Sequence, residues 1–179
     1  MKFSVTQYGK PLSKDKYTWN KETRTFTSEE YDLVLDFYGI DGVTFNTSTD
    51  CTFKAGSGCT FKTGSRCTFK AGSRCTFKTG SKCTFKTGFG CTFKTGSRCT
   101  FDISHNCTFK TGSGCVIVRR DVFEVNQVPE NTTIKLNDYQ IKGYEIIKDI
   151  KTKTITIDGK EIEISIEIFE SLKEQLLEN

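Results

Sequence analysis

Cysteine recurs at every eighth residue from Cys51 to Cys115 with no insertion, and phenylalanine stands two places after each of the first eight. A unit such as Cys59-Thr60-Phe61-Lys62-Thr63-Gly64-Ser65-Arg66 alternates apolar and polar over four residues, then offers a Thr/Ala-Gly-Ser-x corner. That pattern marks a short strand with one buried face. A strand of about four residues spans only ~13 Å and cannot stand alone, so copies must stack at ~4.8 Å spacing. The expected fold is all-β, a repetitive β-solenoid (β-helix) of eight-residue units. Its inward core ladder is Cys51, Cys59, Cys67, Cys75, Cys83, Cys91, Cys99, Cys107 and Cys115 with Phe53, Phe61, Phe69, Phe77, Phe85, Phe93, Phe101 and Phe109. Thr52, Lys54 and their counterparts face out.

We favour two units per coil, a flattened sixteen-residue turn whose two sheets face each other across the Cys/Phe core. A three-unit coil, or three chains each contributing one face, has the same period. The phase extends beyond the cysteines, through Leu35-Asp36-Phe37 and Val43-Thr44-Phe45 before them and Cys115-Val116-Ile117 and Phe123-Glu124-Val125 after. Units starting at 35 and ending with the one at 123 number twelve, which makes six coils and a rod of roughly 29 Å. Glycine at the sixth place (56, 64, 72, 80, 88, 96 and 112) is expected to supply positive φ at the corner, and the following Ser to satisfy turn amides. Three corners depart from the pattern: Phe89 replaces Ser, Phe101-Asp102-Ile103-Ser104-His105-Asn106 replaces the usual run, and Thr47-Ser48-Thr49-Asp50 lacks glycine. We read these as local drift at the surface.

The flanks read as caps, which a solenoid needs because its ends expose unpaired strand edges. Residues 1–34 form a β-rich N-terminal cap with strands at Lys2-Phe3-Ser4-Val5-Thr6, Tyr17-Thr18-Trp19 and Thr25-Phe26-Thr27. Residues 35–127 are the solenoid and 128–148 a β-rich C-terminal cap, with strands at 131–136 and 144–147. Residues 149–179 form a separate module: a hairpin turning at Asp158-Gly159, then a short helix from Ser165. Ile168, Phe169, Leu172 and Leu176 make one apolar stripe on that helix, which packs on its own hairpin or docks on another subunit.

Charge narrows the function. Residues 51–114 hold eleven Lys or Arg against Asp102 alone, so an array of +10 sits in a chain of net +4 and the remainder carries −6. The lysine ladder, which with two units per coil puts Lys54, Lys70 and Lys86 on one sheet and Lys62, Lys78, Lys94 and Lys110 on the other, is a candidate surface for an acidic glycan, another acidic polymer or an acidic partner. The competing reading is solvated charge that blocks aggregation. Specific nucleic-acid binding is disfavoured, because the aromatics that would stack on bases face inward.

Thiolates at a fixed spacing of eight lack the close Cys pairs of zinc motifs, so the cysteines are read as core and no metal or cofactor is expected. Nine is an odd number and no apolar leader opens the sequence, so synthesis in a reducing compartment is expected. No run reaches the roughly 18 apolar residues that span a bilayer. The single histidine, His105, has no relay partner in sequence and reads as an exposed corner residue. With no nucleophile elbow, phosphate loop or paired catalytic carboxylates, the chain is expected not to be an enzyme. The threonine ladder invites comparison with ice-binding solenoids, but a hydrated ammonium beside each Thr argues against ice.

The tandem Cys-Thr-Phe-Lys-Thr-Gly-Ser-x units, with Tyr17-Thr18-Trp19 before them and Val128-Pro129-Glu130-Asn131-Thr132-Thr133-Ile134-Lys135-Leu136 after, resemble a group of small bacteriophage-encoded proteins over roughly residues 1–147. The closing Ile157-Asp158-Gly159-Lys160-Glu161-Ile162-Glu163-Ile164 resembles a short module of phage and prophage proteins. The resemblance implies a virion-associated β-solenoid: a head fibre, capsid decoration or tail-fibre component made in the host cytoplasm. Its partners would be other capsid or tail proteins, with a homotrimer as one possible assembly. A polymer-forming scaffold is a further alternative.

Overall fold

The computed structural model describes residues 3–147, 152–157 and 160–177, in two compact units, Met1–Ile147 and Lys148–Asn179. Strands β1 (Ser4–Gln7), β2 (Lys10–Pro11), β3 (Thr18–Asn20) and β4 (Thr25–Thr27) open the first unit. The array follows as β5 (Leu33–Phe37), β6 (Thr44–Asn46), β7 (Thr52–Ala55), β8 (Thr60–Lys62), β9 (Thr68–Lys70), β10 (Thr76–Lys78) and β11 (Thr84–Lys86). It continues through β12 (Thr92–Thr95), β13 (Thr100–Ile103), β14 (Thr108–Thr111) and β15 (Val116–Arg119). β16 (Glu124–Gln127), β17 (Thr133–Leu136) and β18 (Tyr144–Ile147) complete the unit.

Alternate units enter alternate sheets. Sheet A runs β16-β15-β13-β11-β9-β7-β5-β1-β2 and sheet B runs β18-β17-β14-β12-β10-β8-β6-β4-β3. Units two apart pair in parallel register, with Thr52 beside Thr68, Phe53 beside Phe69 and Lys54 beside Lys70. A coil is therefore two units. The six parallel strands in each sheet, β5 to β15 in A and β4 to β14 in B, make a β-solenoid of six coils.

Phenylalanines fill the space between the sheets. Phe53, Phe69 and Phe85 stack at 4.8–4.9 Å between ring centroids in sheet A, and Phe61, Phe77 and Phe93 at 4.7–4.9 Å in sheet B. These distances equal the strand spacing, so the backbone ladder sets the aromatic stack. Across the core the two columns meet edge to face, as Phe69 does with Phe77 at 5.3 Å and 73°. Both geometries are favourable for aromatic quadrupoles, each pair adding about 0.5–1.5 kcal/mol beyond burial.

The corners correct one expectation. Positive φ lies at the eighth place and not the sixth: Arg66, Arg74, Lys82 and Arg98 have φ of 57–59°, and Gly58, Gly90 and Gly114 share the site. Glycine holds the sixth place because coils touch there. A Cβ on Gly80 would collide with the Ser65 hydroxyl of the coil below and lie 2.9 Å from its backbone nitrogen. The serine expectation holds: the Ser65 hydroxyl accepts the Ser81 amide at 3.0 Å, and the Ser81 hydroxyl accepts the Ser97 amide at 3.0 Å. The fifth place also turns inward, burying Thr87, Thr95 and Thr111.

Both ends of the array differ from the sequence phase. Leu35 lies beside Phe53, so Leu33 takes the cysteine place assigned to Leu35. Tyr38 and Gly39 are the cause: Phe37 pairs with Ala55, whereas the Ile40 carbonyl already accepts the Gly56 amide at 3.1 Å. A two-residue insertion preserves which side chains face inward, so alternation hides it. The first rung is β4, read from sequence as cap, with Phe26 beside Phe45. At the other end Phe123-Glu124-Val125 is no rung. The chain reverses after Arg120, Phe123 takes φ of 51°, and β16 returns antiparallel on β15. Phe123 is 94% and Val125 67% exposed.

Antiparallel strands close both ends of both sheets: β1 on β5, β3 on β4, β16 on β15 and β17 on β14. The second unit is β19 (Thr152–Ile157) paired with β20 (Lys160–Ser165), then α1 (Ile166–Leu177). The Ser165 hydroxyl accepts the Ile168 amide at 3.2 Å and caps the helix. The Asp158-Gly159 turn lies outside the described residues, as does Lys2.

Candidate functional site

The outer faces carry columns of like residues, one per coil. On sheet A the column reads Asp36, Lys54, Lys70, Lys86, Asp102, Val118. Its ends are neutralised: Lys54 Nζ lies 3.6 Å from Asp36, Lys86 Nζ 3.5 Å from Asp102, and Arg120 Nε 2.8 Å from Asp102. On sheet B the column reads Asn46, Lys62, Lys78, Lys94, Lys110, Thr133, with no acid in the row. Among the described residues Lys62, Lys78 and Lys94 form no ion pair. Lys110 continues them in register.

The corners deepen the difference. Each sheet B lysine stands at the strand end that leads to Arg66, Lys82 or Arg98, or to Gly114. Among the described residues Arg66 alone of these is held by an acid, in a two-pronged pair with Asp50 at 2.7 Å for each contact. The Arg66 guanidinium, then the Thr49 hydroxyl, keep the Asp50 carboxyl below its usual range. The opposite corners offer Gly58, Arg74, Gly90 and Asn106, with Asp41 below them. Sheet B and its corner thus present seven basic residues, with their acids, Glu29, Glu30, Asp32 and Asp50, gathered in the first two corners. Sheet A and its corner present four, with Arg120 at the end, against Asp36, Asp41 and Asp102. The lysine ladder divides between the two sheets as the two-unit coil requires, Lys54, Lys70 and Lys86 on one and Lys62, Lys78, Lys94 and Lys110 on the other, and the two faces differ in charge.

Two departures from the octad come together at the corner that follows sheet A. Phe89 and His105, on successive coils, stack at 5.3 Å and 6°. Arg74 covers the outer face of Phe89 at 5.6 Å, and Tyr139 meets His105 edge to face at 5.3 Å. His105 is therefore half-buried in a stack, correcting its reading as an exposed corner residue, and its Nδ1 lies 2.9 Å from the Ser104 hydroxyl. The sixteen-residue interval between 89 and 105 was the available signal. Tyr139, in the C-terminal cap, had none. A cleft of about 290 Å³ opens beside this corner, lined by Asn106, Lys135, Asn137, Asp138, Ile141 and Glu145 among others.

All nine cysteines are buried free thiols. The thiols donate toward corner carbonyls: Cys83 to Ser81 at 3.6 Å and Gly64 at 3.7 Å, Cys107 to His105 at 3.5 Å and Gly88 at 3.6 Å. Contact with the thiol of the preceding coil, followed by burial, pushes Cys99 and Cys107 well above the ordinary thiol range. Among the described residues no group of three or more His, Cys, Asp or Glu is placed to hold a metal ion, and no helix is long and apolar enough to cross a membrane. In the second unit α1 packs on β19 and β20, and Lys153 Nζ sits 3.8 Å over the Phe169 ring. Ile168 and Leu172 remain 54% and 45% exposed. The Leu176 side chain lies outside the described residues.

Fold and surface define a capped, two-sheet β-solenoid with one basic face. No family model, no curated protein and no solved structure matches the chain.

Proposed function

We propose that this protein is a non-enzymatic structural or adhesive rod of fixed length, of the virion-borne kind its octads resemble. The observation that carries the reading is the closure of both sheets at both ends by antiparallel strands. An open parallel edge is a template for the next copy, and the reversed cap strands replace it with antiparallel edges at β2, β3, β16 and β18 that do not continue the coil. This favours a discrete rod over a polymerising scaffold. The two acids of the sheet A column, Asp36 and Asp102, stand four rungs apart, about 19 Å at strand spacing. Paired carboxylates of glycoside hydrolases work at roughly 5–10 Å.

Light scattering on the full chain in reducing buffer, with peptide mapping of purified phage particles from producing cells, tests both halves of the reading. One monodisperse species and peptides in the particles are expected. Filaments of mixed length would overturn the fixed-length rod. Abundance in lysate with absence from particles would overturn the virion assignment.

A further inference from the structure

We infer that sheet B, with the corner that follows it, binds a linear acidic polysaccharide along the rod axis, and that sheet A does not. The inference goes beyond the structural reading and holds whether or not the rod is carried on a particle.

Lys62, Lys78, Lys94 and Lys110 lie in register on adjacent parallel strands, so their charges repeat at the ~4.8 Å strand spacing. Backbone hydrogen bonds fix that repeat, and an arriving ligand meets a row already ordered. The ammonium groups of Lys62, Lys78 and Lys94, which form no ion pair among the described residues, repel one another, and a polyanion that displaces their counterions relieves that repulsion. Sheet A carries the same octads yet is closed by Asp36 and Asp102 at the two ends of its lysines. Arg66, Lys82 and Arg98 extend the basic strip around one edge of sheet B.

The chemistry of the row selects the class. Thr60, Thr76, Thr92 and Thr108 form a second column on the same face, two residues from the lysines. A uronate chain carries one carboxylate per sugar ring, with ring hydroxyls between. Its successive rings turn about the chain axis, so carboxylates of some rings can meet the lysine row while hydroxyls meet the threonines over several rungs. Single-stranded nucleic acid would need aromatic platforms, and every phenylalanine of strands β6 to β14 in sheet B is buried.

The test is binding of oligogalacturonate of defined length to the full chain over a range of salt, with single-stranded DNA of equal charge as comparator. Two triple variants are matched in charge loss: Lys62→Gln/Lys78→Gln/Lys94→Gln on sheet B and Lys54→Gln/Lys70→Gln/Lys86→Gln on sheet A. All substituted side chains are exposed, and thermal melts verify that each variant folds. The sheet B variant is expected to lose at least tenfold in affinity and about three units of log–log salt slope. The sheet A variant is expected to change less than threefold. Equal losses in the two variants would reduce the effect to net charge and overturn the inference. So would absence of oligogalacturonate binding, or tighter binding of the DNA.

Discussion

Arg119 and Asp121 form a buried ion pair at the C-terminal end of the solenoid, with Nη2 2.6 Å from Oδ2 and both side chains at most 3% exposed. Arg119 also donates to the carbonyls of Asp138, Ile141 and Gly143 at 3.2, 2.7 and 3.4 Å. One guanidinium thus ties the last parallel strand to the loop that joins β17 and β18. Arg119→Met should cost about 3–5 kcal/mol, because Asp121 is left buried without its partner. Chemical denaturation checks the figure. A loss below 1 kcal/mol would mean that the pair does not hold the cap.

The same pair sets an acid limit. Burial alone would raise the Asp121 carboxyl, but hydrogen bonds from Arg119 and from the Gln140 amide outweigh it and leave the group below its ordinary value of 3.8. A folded-state value below the unfolded one gives stability that is present above the unfolded value and lost as pH falls through the folded one. Amide protection in β17 and β18, taken relative to intrinsic exchange at each pH, should therefore fall as pH drops below about 4, before that of the central coils. Simultaneous loss of protection throughout the rod would contradict this.

Corner glycines divide into two kinds by cause. Gly80 has no room for a Cβ, whereas Gly90 has open space, its nearest contact being the Arg74 side chain at 3.7 Å, but φ of 65°. Gly80→Ala should cost about 2–3 kcal/mol through forced separation of coils, and Gly90→Ala about 1 kcal/mol through backbone strain. Thermal melts of the two variants in parallel decide. The reverse order would mean that neighbouring coils yield to a Cβ at the sixth place.

The corner glycines show what the octad could and could not convey. Alternation from Cys51 to Phe109 declares buried and exposed faces, because period two has one physical meaning in a stacked strand. Two units per coil, favoured over three from the octad, is borne out by the pairing of Lys54 with Lys70. The insertion at Tyr38 and Gly39 was invisible, since an even shift leaves parity intact. The asymmetry of the lysine faces depended on which acids fall in which column, and Asp36 and Asp102 are 66 residues apart in sequence yet close one ladder. Tyr139 beside His105 belongs to the same class: tertiary placement that no local spacing encodes.

The thiol ladder should be silent in the folded state. Every cysteine is at most 1% exposed, and reactivity requires an accessible thiolate. A colourimetric thiol assay should count fewer than one reactive group per native chain, and nine after unfolding in denaturant. Rapid native labelling of several thiols would place them outside the core.

Phe77 and Phe123 carry the last comparison. Phe77 lies between Phe61 and Phe93 in one column and touches Phe69 and Phe85 across the core. Phe123, which shares the octad phase, is almost wholly in solvent. Phe77→Ala should cost about 3–5 kcal/mol, since it removes a buried ring and leaves a cavity that rigid neighbouring rungs cannot collapse. Phe123→Ala should fall within about 0.5 kcal/mol of zero. Denaturant midpoints of the two variants measure the difference, and a comparable loss at Phe123 would return that residue to the core as a true rung of the solenoid.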